Sequence, residues 1–200
     1  MFSLLDQIQH IARNGLNYAQ NSYDRERYEK LLSLTAESYA DLVDQPAEKI
    51  RELFLAEAGH ITPKIGADAA IFNERGEILL MERVDGSGWC LPCGWVEAQE
   101  RPWETAVREV WEETGLVVEV KQLVGVFTRM PSQKFGPHTI VAVVHLCKVV
   151  GGELTLSHEG LDLRYWPIDE MFNWHGIHEK YARAAYVAWQ AEGTVPAVSD

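Results

Sequence analysis

Three carboxylates open the reading. Glu109, Glu112 and Glu113 stand three and four residues apart, a spacing that stacks Glu109 over both others on one face of a helix. Like charges so placed repel by about 0.2–0.5 kcal/mol per pair in an isolated helix. A divalent cation bound by hard oxygen ligands offsets that repulsion, as does the neighbouring Arg108. Taken alone, the three glutamates fit a solvated acidic face as well as a metal site.

The surrounding stretch, Gly94 to Leu116, holds six glutamates. Pro102 suits the first helical position and Gly115 the C-terminal stop. Trp103, Ala106, Val107, Val110 and Trp111 fall at helical spacing, which predicts an apolar face anchored on a core with the acids aimed outward.

The full pattern is Gly94, five residues, Glu100, seven residues, Arg108-Glu109, two residues, Glu112-Glu113, one residue, Gly115-Leu116. It fills every fixed position of the Nudix box without a gap, and on these residues the chain resembles the Nudix hydrolases, which cleave a pyrophosphate linking a nucleoside to another group. The resemblance implies magnesium or manganese (Mg2+ or Mn2+) on Glu109, Glu112 and Glu113. It implies that Arg108 holds the glutamates and that Glu100, with Gly94, braces the loop or the second shell of the metal. The fold it implies is an α/β helix–mixed sheet–helix sandwich.

Other residues are candidates on looser grounds. Glu159 precedes Arg164-Tyr165-Trp166 in a Gly160-containing loop, where Nudix hydrolases often place a general base or extra metal ligand; an exposed loop acid is the plainer alternative. His158 is a second candidate base. Arg83, at a strand end before Asp85-Gly86-Ser87-Gly88, is the first choice for the phosphates, against a surface arginine paired with an acid; Arg129 and Lys134 are alternatives. Trp166 is a substrate-binding candidate, although a tryptophan there more often packs in a core. Pro131 lies fifteen residues beyond Leu116, about where the ADP-ribose-cleaving branch carries a proline.

Trp89-Cys90-Leu91-Pro92-Cys93 imitates a thioredoxin site, but a redox Cys-x-x-Cys needs its first cysteine at a helix N-terminus, and the helix here begins only near Pro102. Cys93 replaces the first glycine of the Leu-Pro-Gly-Gly common in Nudix proteins. A zinc site from Cys90, Cys93 and the His175/His178 pair is equally disfavoured, since His-x-x-His near a helix start is usually surface decoration. A thiol-disulfide oxidoreductase and a catalytically silent Nudix-like binding module are the alternatives from other classes. The intact glutamates argue against silence.

The elements that position these residues fall into two parts: residues 1–60, a helical segment, and residues 61–200, the catalytic domain. In the first, Leu4, Leu5, Ile8, Ile11 and Ala12 form an apolar stripe ending near Asn14-Gly15 or soon after. Asp24 caps a second helix carrying Tyr28, Leu31, Leu32, Thr35 and Tyr39, and Pro46 opens a third with Ile50, Leu53, Phe54 and Ala58 inward. IARNGLNYAQNSYDRERYEKL is similar to the N-terminal segment of Nudix hydrolases acting on nucleoside diphosphate-X compounds, CDP-choline or ADP-ribose among them. That resemblance implies a homodimer and a segment that walls the substrate site. Triphosphate or dinucleoside polyphosphate hydrolysis is the alternative within the class. From Pro63 strand patterns dominate: 66–72 and 77–84 about a turn at Asn73–Gly76, then VVEV, LVGVFTRM, TIVAVVHLCKVV and LRYWPI, with a closing helix near Glu179–Ala191 that buries Tyr181, Ala184, Ala185 and Ala188.

With 46% hydrophobic and 24% charged residues, the chain can build a core. A formal charge of −12 argues against a nucleic-acid or anionic membrane surface, and an anionic nucleotide approaching clustered glutamates needs bridging cations. No apolar run is long enough to span a bilayer. MFSLLDQIQH lacks signal-peptide features, and three cysteines suit a reducing cytoplasm.

Overall fold

The computed structural model describes residues 2–56, 62–132, 138–192 and 195–200. It divides into two compact units, Met1–Pro63 with Met130–Thr139, and Lys64–Arg129 with Ile140–Asp200.

The first unit carries helices α1 (Phe2–Tyr18), α2 (Ser22–Val43) and α3 (Ala47–Ala56). Leu5, Ala12, Leu16, Leu32, Ala36, Tyr39, Ile50 and Phe54 form its core. α1 runs past Asn14-Gly15, because Gly15 is a packing contact and not a stop: a Cβ there would meet the Tyr28 ring at 2.3 Å. The buried stripe differs from the apolar one. Gln9 and Arg13 are buried, the Arg13 guanidinium donating to Gln9 Oε1 at 2.9 Å and lying over the Phe54 ring, while Leu4 and Ile11 are exposed. α2 is capped by Asn21, not Asp24. The Asn21 side chain accepts from the Asp24 N–H at 2.9 Å and donates to the Asp24 carboxylate at 2.7 Å, so Asp24 sits in the first turn, where it favours the helix dipole. In α3, Ile50 and Phe54 are buried but Leu53 is exposed; Ala58 lies outside the described residues.

The second unit is an α/β sandwich. Its strands are β1 (Lys64–Ile71), β2 (Ile78–Arg83), β3 (Trp89–Cys90), β4 (Cys93–Trp95), β5 (Leu116–Arg129), β6 (Ile140–Gly152), β7 (Gly160–Trp166) and β8 (Val198–Ser199); its helices are α4 (Pro102–Thr114) and α5 (His178–Gln190), with a 3-10 turn at Ile168–Glu170. A mixed five-stranded sheet runs β4-β1-β6-β5-β8, and a three-stranded one β3-β2-β7. β1 and β6 pair in parallel, β1 with β4 antiparallel. VVEV and LVGVFTR belong to one strand, β5, which stays paired with β6 through three register shifts, one absorbing an extra residue of β6 and two absorbing extra residues of β5.

Strand alternation sorts the core into two layers. Ala67, Ala69 and Ile71 of β1 pack with Ala106 and Val110 of α4. Ala70 packs instead with Tyr181, Ala182 and Ala185 of α5. β1 is therefore covered on both faces, which is why its sequence reads as a nearly unbroken apolar run. Asp68, on the α5 face, is the exception.

Candidate active site

α4 carries the glutamates, and its ends are set locally. Pro102 opens it, the Arg101 N–H donates to the Glu104 carboxylate at 2.8 Å, and Gly115 closes it at φ 69° with its N–H bonded to the Trp111 carbonyl. Ala106 and Val110 are buried beneath, but Trp103 and Trp111 are exposed: the helix lies on small residues of β1, too narrow a contact to cover two indoles on its flanks.

Arg108 is the hub of the acidic face. Its guanidinium donates to Glu100 at 2.9 and 3.0 Å, to Glu109 at 2.8 Å, to Glu112 at 2.9 Å, and to the Trp95 carbonyl at 3.3 Å. Glu100 also accepts from the Thr105 hydroxyl at 2.6 Å, and these bonds, Arg108's first, hold its carboxyl down at about 2. Glu109 lies directly on Gly94. A Cβ there would stand 1.9 Å from Glu109 Oε1, so any side chain at this position would displace the carboxylate from where it lies.

Glu113 points the other way, into the protein. It is buried and accepts one bond, from the Cys93 N–H at 2.9 Å. Burial, with neighbouring acids adding to it, pushes its carboxyl up to about 9. Burial likewise raises Glu109 against the pull of Arg108. Burial thus makes two acids costly to ionise beside exposed Glu112, but among the described residues the ligand-type side chains that converge to within 4.8 Å are Asp68, Cys93 and His178, not these glutamates.

The loop before β7 is fastened to the C-terminal end of α4. Thr155 N–H donates to the Thr114 carbonyl at 2.8 Å and Ser157 N–H to the Glu113 carbonyl at 3.2 Å. Glu159 thereby joins Glu109, Glu112 and Glu113 around one cleft of about 590 Å3, lined also by Trp111, Leu156 and His158. Sequence reasoning placed Trp111 in a core; only its exposure beside the carboxylates brings it into the site. His158 is almost fully exposed, 3.9 Å from the Glu159 carboxylate.

The remaining candidates lie elsewhere. Arg83 is bonded to Asp85 at 3.1 and 3.2 Å. Trp166 packs edge-on against Trp89, with Arg164 over both rings. Pro131 belongs to the unit of the N-terminal helices, and Lys134 lies outside the described residues. Cys90 and Cys93 sit in strands β3 and β4, and the hydrogen bond between them together with burial pushes the Cys93 thiol up. Neither is the exposed, activated thiol of a disulfide oxidoreductase.

An acidic helix laid across a mixed sheet, its carboxylates gathered round one arginine, is the arrangement of the Nudix class. The NUDIX domain family model matches residues 62–186, more than half of the chain, and the chain belongs to the NUDIX family as a Nudix pyrophosphohydrolase. Residues 1–54 match the UDP-X-like, N-terminal oligomerisation domain. YjhB of Bacillus subtilis, provisionally named an ADP-ribose pyrophosphatase, is 33% identical over 165 residues, 82% of this chain and 79% of its own length. An ADP-ribose pyrophosphatase of Methanocaldococcus jannaschii is 30% identical over 66% of this chain and 77% of its own. Among solved structures, one described as a UDP-X diphosphatase superposes over 99% of this chain and 97% of that one, with a TM-score of 0.61 and 25% identity. An ADP-ribose pyrophosphatase from Streptococcus suis covers 69% of this chain and 98% of its own, at TM-score 0.53 and 29% identity. Among the described residues, no helix is long and apolar enough to cross a membrane.

Proposed function

We propose that this chain hydrolyses the pyrophosphate bond of nucleoside diphosphate-X compounds, of the CDP-choline or ADP-ribose type, to a nucleoside monophosphate and a phosphorylated X. The observation that carries the reading is the convergence of Glu109, Glu112, Glu113 and Glu159 on one cleft. Glu109, Glu112 and Glu113 would hold Mg2+ or Mn2+, which supplies polarisation of water and neutralisation of charge on the leaving phosphate. Arg108 keeps Glu109 and Glu112 in place, with Glu100 bracing Arg108 from the far side. Glu159, which lines the same cleft, would take the proton of the attacking water, a role worth roughly two to four powers of ten in rate. Arg83 is the phosphate-binding candidate and would exchange Asp85 for the substrate; Trp111 offers the cleft an aromatic face.

The substrate class draws on the relatives named for ADP-ribose and UDP-X compounds. The working form we infer is a homodimer built on the N-terminal helices, in line with the oligomerisation-domain match, and located in the cytoplasm, where the free thiols of Cys90, Cys93 and Cys147 persist. The test is kcat/KM, at one magnesium concentration, for CDP-choline, ADP-ribose, a UDP-sugar, a dinucleoside polyphosphate and the common triphosphates. A nucleoside diphosphate-X compound should lead. A triphosphate ahead by tenfold, about 1.4 kcal/mol in transition-state binding, overturns the substrate class and leaves the metal chemistry standing.

A further inference from the structure

A second set of ligand-type side chains lies on the α5 face of the sheet. Asp68 and Cys93 are directly opposed in the β1–β4 pair, so their side chains leave the sheet on the same side. The next residue, Gly94, faces α4 and receives Glu109; alternation therefore sends Cys93 away from the glutamates. His178, the first residue of α5, meets the pair. One donor atom each from Asp68, Cys93 and His178 lie within 4.8 Å of one another, and both Asp68 and His178 are buried.

The Cys93 thiol is hydrogen-bonded to the Asp68 carboxylate, and the contact left without a hydrogen is the one between Asp68 and His178. His178 Nδ1 is 3.5 Å from Asp68 Oδ1, and the same nitrogen accepts the Leu91 N–H at 3.3 Å. An Nδ1 that accepts carries no hydrogen to give Asp68, so no hydrogen bond joins the two groups while Asp68 is ionised. The same bond excludes a Cys–His–Asp nucleophilic relay, in which Nδ1–H donates to the carboxylate.

We propose that Asp68, Cys93 and His178 bind a borderline-soft divalent cation of the zinc type, at a site distinct from the glutamate cluster. Sulfur, nitrogen and a single oxygen select zinc over magnesium, which takes oxygen alone. Ligand atoms on one zinc stand about 3.3–3.8 Å apart, given Zn–S near 2.3 Å and Zn–N or Zn–O near 2.0 Å, so side-chain rotations of about 1 Å close the set. Cys90, hydrogen-bonded to Cys93, is the candidate for the fourth position. Arg83 and Arg129 act electrostatically on His178, which would oppose a bare cation. The Asp68 carboxylate and a Cys93 thiolate cancel the ion's two charges, with the thiol proton released to solvent on binding. Because the Cys93 N–H also holds Glu113, an ion here fixes the strand that backs the glutamate cluster.

The full chain, reduced and stripped with a chelator, is titrated with Co2+ in the presence of excess Mg2+, which occupies oxygen-only sites. A thiolate-to-cobalt charge-transfer band saturating at one equivalent, and abolished by one equivalent of Zn2+, is the expected result. Cys93→Ser should remove the band, and His178→Gln should weaken Co2+ binding by at least tenfold. Absence of the band in the wild-type chain overturns the site irrespective of how the variants fold, and leaves Asp68 and His178 sharing a proton. A band undiminished in Cys93→Ser also overturns it.

Discussion

At the scale of single residues, Glu113 is the most informative group, because burial and the neighbouring acids both push its carboxyl up and only the Cys93 N–H opposes them. Its carboxyl, raised to about 9 in the metal-free chain, keeps a proton that the unfolded chain gives up near 4.5. Between those values the folded state binds more protons than the unfolded, so Glu113 lowers stability progressively as pH rises through that window. A cation must displace the same proton, and its apparent affinity therefore rises with pH up to about 9. Magnesium should raise the melting temperature more at about pH 8.5 than at about pH 6. Equal shifts at both pH values, measured by thermal unfolding with and without chelator, count against Glu113 as a ligand. The rate should respond as well: Glu112→Gln with Glu113→Gln should lower kcat by at least about 100-fold. A double variant turning over its best substrate at the wild-type rate sinks the metal assignment.

At the scale of elements, the α4–β4 contact is fixed by one missing methyl group. Gly94 has no positive-φ requirement; its constraint is space, since Glu109 occupies the volume a Cβ would fill. Gly94→Ala should leave the fold intact, displace Glu109 and weaken Mg2+ binding by about 10–100-fold, as removal of a supporting contact does. A Gly94→Ala chain whose magnesium titration overlays that of the wild type shows that the carboxylate relocates freely. The Thr155 and Ser157 bonds to the last turn of α4 make the second element-level constraint and, with the Val84 N–H donating to the Glu159 carbonyl, hold Glu159 of a remote loop at the cleft.

For the whole molecule, the N-terminal helices pose the question of assembly. Leu4, Ile11 and Tyr18 stand seven residues apart on α1 and are 60, 61 and 60% exposed. Seven-residue spacing keeps them on one line of the helix, separate from the Leu5–Ala12–Leu16 line that faces the core of the unit. An apolar line of this kind is what a second copy of the chain would cover. Light scattering at micromolar concentration should give twice the chain mass, and Ile11→Glu should shift it to the monomer with the helices still folded. A wild-type monomer, or a dimer indifferent to Ile11→Glu, removes α1 from the interface.

Much of the site was legible in the chain because local rules govern it. Placing Glu109, Glu112 and Glu113 on one helix needed only their spacing, singling them out as a site needed the full pattern from Gly94 to Leu116, the helix ends needed only Pro102 and Gly115, and the strands only their β-branched alternation. The N-terminal helices were equally readable as helices, but which of their faces is buried was not: Leu4 and Arg13 exchange the places hydrophobicity assigns them, because packing against α2 and α3 decides burial and the Arg13 stem and guanidinium find Gln9 and Phe54. Trp111 was misassigned for the same reason, since the width of the contact under α4 is a property of β1. His178 is the clearest case. Its Leu91 and Asp68 partners are 87 and 110 residues away in the chain, and no spacing rule connects them. Local sequence determined the glutamates and the helix that carries them; only tertiary structure, by pairing β1 with β4 and laying α5 across the opposite face, decided that Asp68, Cys93 and His178 would meet.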